Sequence, residues 1–169
     1  MKINKNRIFD KFYQKAKNRQ IDFIVLHHIG CSTLNLAIDE LQKHKVSSHY
    51  IIAQNGEIFQ LVEDKNIAYH AGVSFWQGVD GLNPFSIGIE FHNPKPFSQP
   101  FSKAQIDSGL ELCQELILKY GVKKENVVGH NEIAYDKKTG MFDRKQDPSH
   151  LFPWGKFYEK GLSFYRLNS

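Results

Sequence analysis

The stretch Phe23-Ile24-Val25-Leu26-His27-His28-Ile29-Gly30 runs four apolar residues straight into two histidines and a glycine. A continuous apolar run of this length reads as a strand buried on both faces, the pattern of a sheet interior. Two imidazoles at its mouth stand where a rigid scaffold presents side chains to a cleft. Successive strand side chains point to opposite faces, so His27 and His28 cannot both reach one centre. One of the pair serves the cleft, and the other its surroundings.

The neighbouring segments extend this reading. Residues 34–44 (LNLAIDELQKH) form a helix pattern, with Ser32 or Thr33 as its cap. Asn55-Gly56 between two alternating runs predicts a hairpin, because both residues tolerate positive φ. Residues 63–85 read as irregular, and SIGIEF at 86–91 alternates like a strand. Residues 102–120 predict a helix: Ser102 and Gln105 match a capping box, and Gly121 matches a C-terminal stop. Ile106, Leu110, Cys113, Ile117 and Tyr120 recur on one face of it, which makes Cys113 a packing residue. A short strand at 126–129 (NVVG) leads to His130, and a last helix begins near Pro153. The pattern predicts a mixed α/β fold, a central mixed sheet of about five or six strands flanked by helices.

At 169 residues the chain is long enough for one domain with a substantial core. The apolar fraction of 41% and charged fraction of 24% fit a soluble globular protein. No apolar run approaches ~20 residues, so no transmembrane segment is expected. The first 20 residues lack the apolar core and small-residue cleavage site of a secretory signal, which favours the cytoplasm. An envelope or periplasmic location stays open if a leader was removed. Cys31 and Cys113 match no CxxC pattern and point to no disulfide framework. The net charge of +4 is uneven: residues 1–20 hold seven Lys/Arg against one Asp, leaving the rest slightly acidic. A nucleic-acid surface spreads its charge along a face, so no nucleic-acid partner is expected. Ile8, Phe9, Phe12, Tyr13 and Ala16 would line one side of a helix, so residues 1–20 are read as a basic helical segment preceding a single domain at 21–169.

Eight histidines are present: His27, His28, His44, His49, His70, His92, His130 and His150. His27 and His130 each follow an apolar strand directly. Asp147 lies in RKQDP, where Pro148 biases the backbone at Asp147 toward extended conformations. Two imidazoles and a carboxylate, with a fourth position left to water, form a ligand set for a hydrolytic zinc. Spacing alone leaves the matter open, since ligands scattered along the chain form no motif and a strand-end histidine also caps or packs.

IVLHHIG, SSHYII with GEIFQLV, AYHAGVSFWQG, LNPFSIGIEFHNP, NVVGHNEIA and RKQDPSHLFPW occur in this order. Together they resemble the zinc-dependent N-acetylmuramoyl-L-alanine amidases of the AmpD/AmiD type, which share a fold with peptidoglycan-recognition proteins. The resemblance covers about residues 21–161 and implies a role for each matching position. His27, His130 and Asp147 take the places of the zinc ligands, one Zn2+ per chain. Glu90 takes that of the catalytic glutamate, and Lys145 that of a lysine assisting at the oxyanion. His28, Tyr50, Trp76 and Asn83 are candidate substrate-binding residues. His70 is expected to be structural or a cleft wall, and His44, His92 and His150 to be exposed. Asp136 and Asp143 are rival carboxylates in a loop longer than in typical relatives. The expected partners are peptidoglycan fragments, muropeptides and anhydro-muropeptides, met by a monomer. The alternative is a muropeptide-binding domain of the same fold without catalysis.

Overall fold

The computed structural model describes residues 1–94, 99–142 and 144–166. In chain order its elements are β1 (Ile3–Asn4), β2 (Tyr13–Gln14), β3 (Phe23–Ile29), α1 (Leu34–Lys43), β4 (Tyr50–Ile52), β5 (Ile58–Gln60) and β6 (Ile67–Ala68). Then follow β7 (Phe75–Trp76), β8 (Val79–Asp80), β9 (Ser86–His92), α2 (Lys103–Tyr120), β10 (Val127–Gly129), α3 (His130–Ile133) and α4 (Trp154–Glu159).

Six strands form one mixed sheet in the order β1-β5-β4-β9-β3-β10. β3 and β9 run parallel side by side, with Phe23 opposite Ser86 and Ile29 opposite His92. β10 is parallel to β3 and β4 parallel to β9, while β5 returns antiparallel to β4 through the Asn55-Gly56 turn. Gly56 takes φ +86°, and a Cβ there would meet the Ala104 carbonyl oxygen at 2.8 Å, so the turn demands glycine.

The apolar run of β3 is explained by cover on both faces. Ile24 and Leu26 share a core with Ile87, Ile89 and Phe91 of β9, with Ile106, Leu112, Cys113 and Leu116 of α2, and with Phe152 and Phe157. Phe23 and Val25 face the other way, against Ala71, Leu82, Val128 and Ile133. A further cluster packs α1, through Ala37, Ile38 and Leu41, onto Ile51, Phe59 and Leu61. α2 starts where expected: Ser102 Oγ accepts from Gln105 N at 3.1 Å. The capping box is only half made, because the Gln105 amide donates instead to the carbonyls of Ile52 and His92, both at 2.8 Å, and ties the helix to the sheet.

Two expectations are corrected. Residues 1–20 are not helical. β1 extends the main sheet beside β5, β2 pairs with β6, and Phe12 sits at φ 63°, which no helix accommodates. Phe9 is buried against the α1 cluster while Ile8 is 44% exposed, so the apolar residues anchor separate points rather than form a stripe. The segment is part of the same body as residues 21–169, and Arg19 sews it on by donating to the carbonyls of Asp64, Asn83 and Ser86. Residues 63–85 are not wholly irregular either, since they carry β6, β7 and β8, each too short for its periodicity to show.

Candidate metal centre and active site

β3 delivers His27 to the sheet face shared by Val25, and the parallel register puts Glu90 of β9 directly beside it. His130 is the first residue of α3, immediately after β10. Its turn is fastened by Glu132, whose carboxylate accepts from Gly129 N at 2.6 Å and is gripped by Arg166 at 2.8 and 2.7 Å. Asp147 is drawn to the same point because its carbonyl accepts from Asn131 N at 2.7 Å.

The result is convergence at the C-terminal ends of β3, β9 and β10. Asp147 Oδ2 lies 3.2 Å from His27 Nδ1 and 3.1 Å from His130 Nδ1. Ligand atoms of the three residues all fall within 4.8 Å of one another, the one such group among the described residues. Ligands about 2.0–2.2 Å from a tetrahedral zinc ion stand roughly 3.3–3.5 Å apart, so these spacings fit one small cation. The proton positions fit as well. His130 Nε2 is 3.1 Å from the Ala71 carbonyl, which only accepts, so Nε2 carries the hydrogen and Nδ1 turns a lone pair toward the Asp147 carboxylate. Electron-rich atoms this close in a buried site call for a cation between them.

Burial pushes His27 down to about 4, reinforced by His130 and opposed by Asp147, so the ring is neutral at pH 7 as a ligand must be. Glu90 is 8% exposed, and its Oε2 has no hydrogen-bond partner among the described residues. Burial and then the Asp147 charge hold its carboxyl well above the usual range, against the pull of Lys145. The cleft, about 190 Å³, is lined by these groups and by His28, Ile29, Leu41, Val46, Ser47, Tyr69 and His70. Lys145 is exposed at its mouth, where the cleft meets two further hollows, one along Cys31, Glu40 and His44 and one along Asn131, Gln146 and His150.

The model of the family described as N-acetylmuramoyl-L-alanine amidase matches residues 17–150. The chain belongs to this amidase family. It is 35% identical over 162 residues to the N-acetylmuramoyl-L-alanine amidase AmiD of Escherichia coli K12, covering 88% of this chain and 56% of AmiD. It is 34% identical over 119 residues to the 1,6-anhydro-N-acetylmuramyl-L-alanine amidase AmpD of Enterobacter cloacae, covering 70% and 59%. The chain thus spans a little over half the length of these curated relatives. The solved complex of E. coli AmiD with anhydro-N-acetylmuramic acid-L-Ala-D-gamma-Glu-L-Lys superposes with a TM-score of 0.75 at 33% identity, over 90% of this chain and 62% of AmiD.

Not every residue singled out in the sequence reaches the site of this amidase fold. His28 borders the cleft but turns its ring to the opposite face of β3 from His27, edge-on against Phe101 at 5.0 Å, so strand alternation keeps it out of the ligand set. Tyr50 lies on that face too, in register with Ile89, and its hydroxyl donates to Asp64 at 2.5 Å. Asn83 holds backbone: its Oδ1 accepts from His70 N at 3.1 Å and Ala71 N at 2.8 Å. Trp76 donates Nε1–H to the Glu125 carbonyl and stacks on Phe164, beside a separate hollow that shares no residue with the cleft. Asp136 is spent on its own turn, accepting from the backbone of Lys138 and Thr139. Asp143 lies outside the described residues. His44 and His150 are exposed as expected, but His92 is 5% exposed, with Nε2 2.9 Å from the Cys31 carbonyl. α1 and Tyr69 contribute cleft walls that nothing in their sequence pattern announced. No helix among the described residues is long and apolar enough to cross a membrane.

Proposed function

We propose that the chain is a zinc-dependent amidase. It hydrolyses the amide joining the lactyl group of N-acetylmuramic acid, or its 1,6-anhydro form, to the L-alanine of a peptidoglycan stem peptide. One observation carries the proposal: His27 Nδ1, His130 Nδ1 and Asp147 Oδ2 converge beside a buried glutamate with a spare oxygen. Family membership and the substrate named for the AmiD complex supply the bond to be broken.

In this reading His27, His130 and Asp147 hold the ion. Zinc bound there supplies a Lewis acid and lowers the pKa of water toward ~7. Glu90 Oε2 accepts the proton of the attacking water and returns it to the departing alanine nitrogen. Its burial raises its affinity for a proton, which favours taking one from the water. Lys145 Nζ, at the mouth, offsets the negative charge that builds on the amide oxygen. The hollows meeting at Lys145 offer room on either side of the scissile bond for glycan and peptide. Every group comes from one chain, so a monomer suffices.

Incubating zinc-loaded protein with an anhydro-muramyl peptide, with and without a chelator, tests the proposal. Release of free stem peptide only in the metal-loaded sample is expected. Binding of the muropeptide without release would replace the amidase by the recognition domain.

A further inference from the structure

The two imidazoles of the cluster are fixed from behind by one short segment, residues 70–71. The Ala71 carbonyl takes the Nε2–H of His130 at 3.1 Å. His70 stands behind His27, with Nδ1 3.0 Å from His27 Nε2. We infer that His70 is a positioning residue that holds the proton of His27 on Nε2 and so keeps the Nδ1 lone pair facing Asp147 and His130.

The direction follows from a chain with a single acceptor at its end. The Leu82 carbonyl can only accept, and Ser86 Oγ lies 2.7 Å from it, so the serine hydrogen points there. Ser86 Oγ therefore accepts from His70 Nε2 at 3.1 Å, which places the His70 hydrogen on Nε2 and leaves Nδ1 as a lone pair. That lone pair takes the Nε2–H of His27. Reversing any link would set two donors or two lone pairs against each other in a buried site. Independent packing evidence shows that the ring is seated deliberately. Gly88 of β9 lies flat against it, and a Cβ at that position would meet His70 Cγ at 2.5 Å. Asn83 fixes the same segment by accepting from the backbone N–H of both His70 and Ala71.

For metal binding the inference rests on the zinc reading above, but the proton position is measurable without metal. In zinc-free protein, long-range 1H–15N correlation spectra are expected to show a hydrogen on Nε2 of both His27 and His130, whether or not Nδ1 also takes one from solvent to face Asp147. His70→Phe keeps the ring volume and removes the acceptor. It is expected to move His27 toward the Nδ1–H form and to weaken zinc binding, measured against a chelating dye, by about 10–100-fold. His70→Asn presents Oδ1 near the place of Nδ1 and is expected to restore most of that loss. A wild-type His27 found with its proton on Nδ1 alone overturns the inference, as does a folded His70→Phe variant that binds zinc like wild type. If His70→Phe does not fold, the wild-type spectrum decides alone. A wild type with the expected proton pattern that binds no zinc defeats the metal reading and leaves the proton relay standing.

Discussion

In the proposed mechanism Glu90 and Lys145 divide the chemistry between a buried group and an exposed one, and their variants should fail differently. Glu90→Gln removes the proton acceptor and is expected to lower kcat by about 10²–10⁴-fold while leaving the zinc content unchanged. Lys145→Ala is expected to lower kcat by about 10²–10³-fold, again with metal retained. Stem-peptide release and metal analysis on the same samples check both. Tyr50→Phe should leave kcat/KM alone and cost roughly 1–2 kcal/mol of stability, because its hydroxyl serves Asp64 on the far face of the sheet. A loss of substrate affinity in that variant would return Tyr50 to the cleft. At this scale the sequence was informative where one rule sufficed. Alternation along one strand separates His27 from His28. The face taken by Tyr50 depends on how β4 registers against β9, which no local pattern carries.

The first 20 residues hold the largest difference between expectation and structure among the elements. Their apolar spacing matches a helix, yet Phe9 fills the α1 cluster, β1 borders the sheet and Arg19 crosses four carbonyls. Tertiary partners outweigh the local period here. Phe9→Ala is therefore expected to cost about 3–5 kcal/mol, measured by urea unfolding. An exposed helical appendage would tolerate the same change with little loss. Longer elements were legible because their signals repeat. α2 begins at the Ser102 cap and stops at Gly121, and β3 and β9 each sustain their pattern over seven residues. The two-residue strands β6 to β8 offered no repeat to read. Asp147 was legible through its proline neighbour and the block resemblance. The contribution of Ala71 was not, since a backbone carbonyl leaves no mark in a sequence.

The molecule as a whole encloses neutral histidines, and this sets its response to acid. Burial, aided by Arg19, pushes His49 down to about 3, while an unfolded chain takes up that proton near 6.5. Below about pH 6.5 the unfolded state therefore binds more protons, and stability falls with falling pH by about 1.4 kcal/mol per unit for this group. His49→Gln should flatten the unfolding free energy between pH 6.5 and 4 by that slope, and an unchanged slope would show that His49 is protonated in the folded state. The same enclosed face carries the cluster on which the functional account depends. Zinc titration of the metal-stripped protein tests that cluster most directly. The account predicts one equivalent bound per chain, and none at the site in His130→Ala or Asp147→Ala variants that remain folded. A folded wild type that takes up no zinc, or alanine variants that still bind one equivalent, would contradict it.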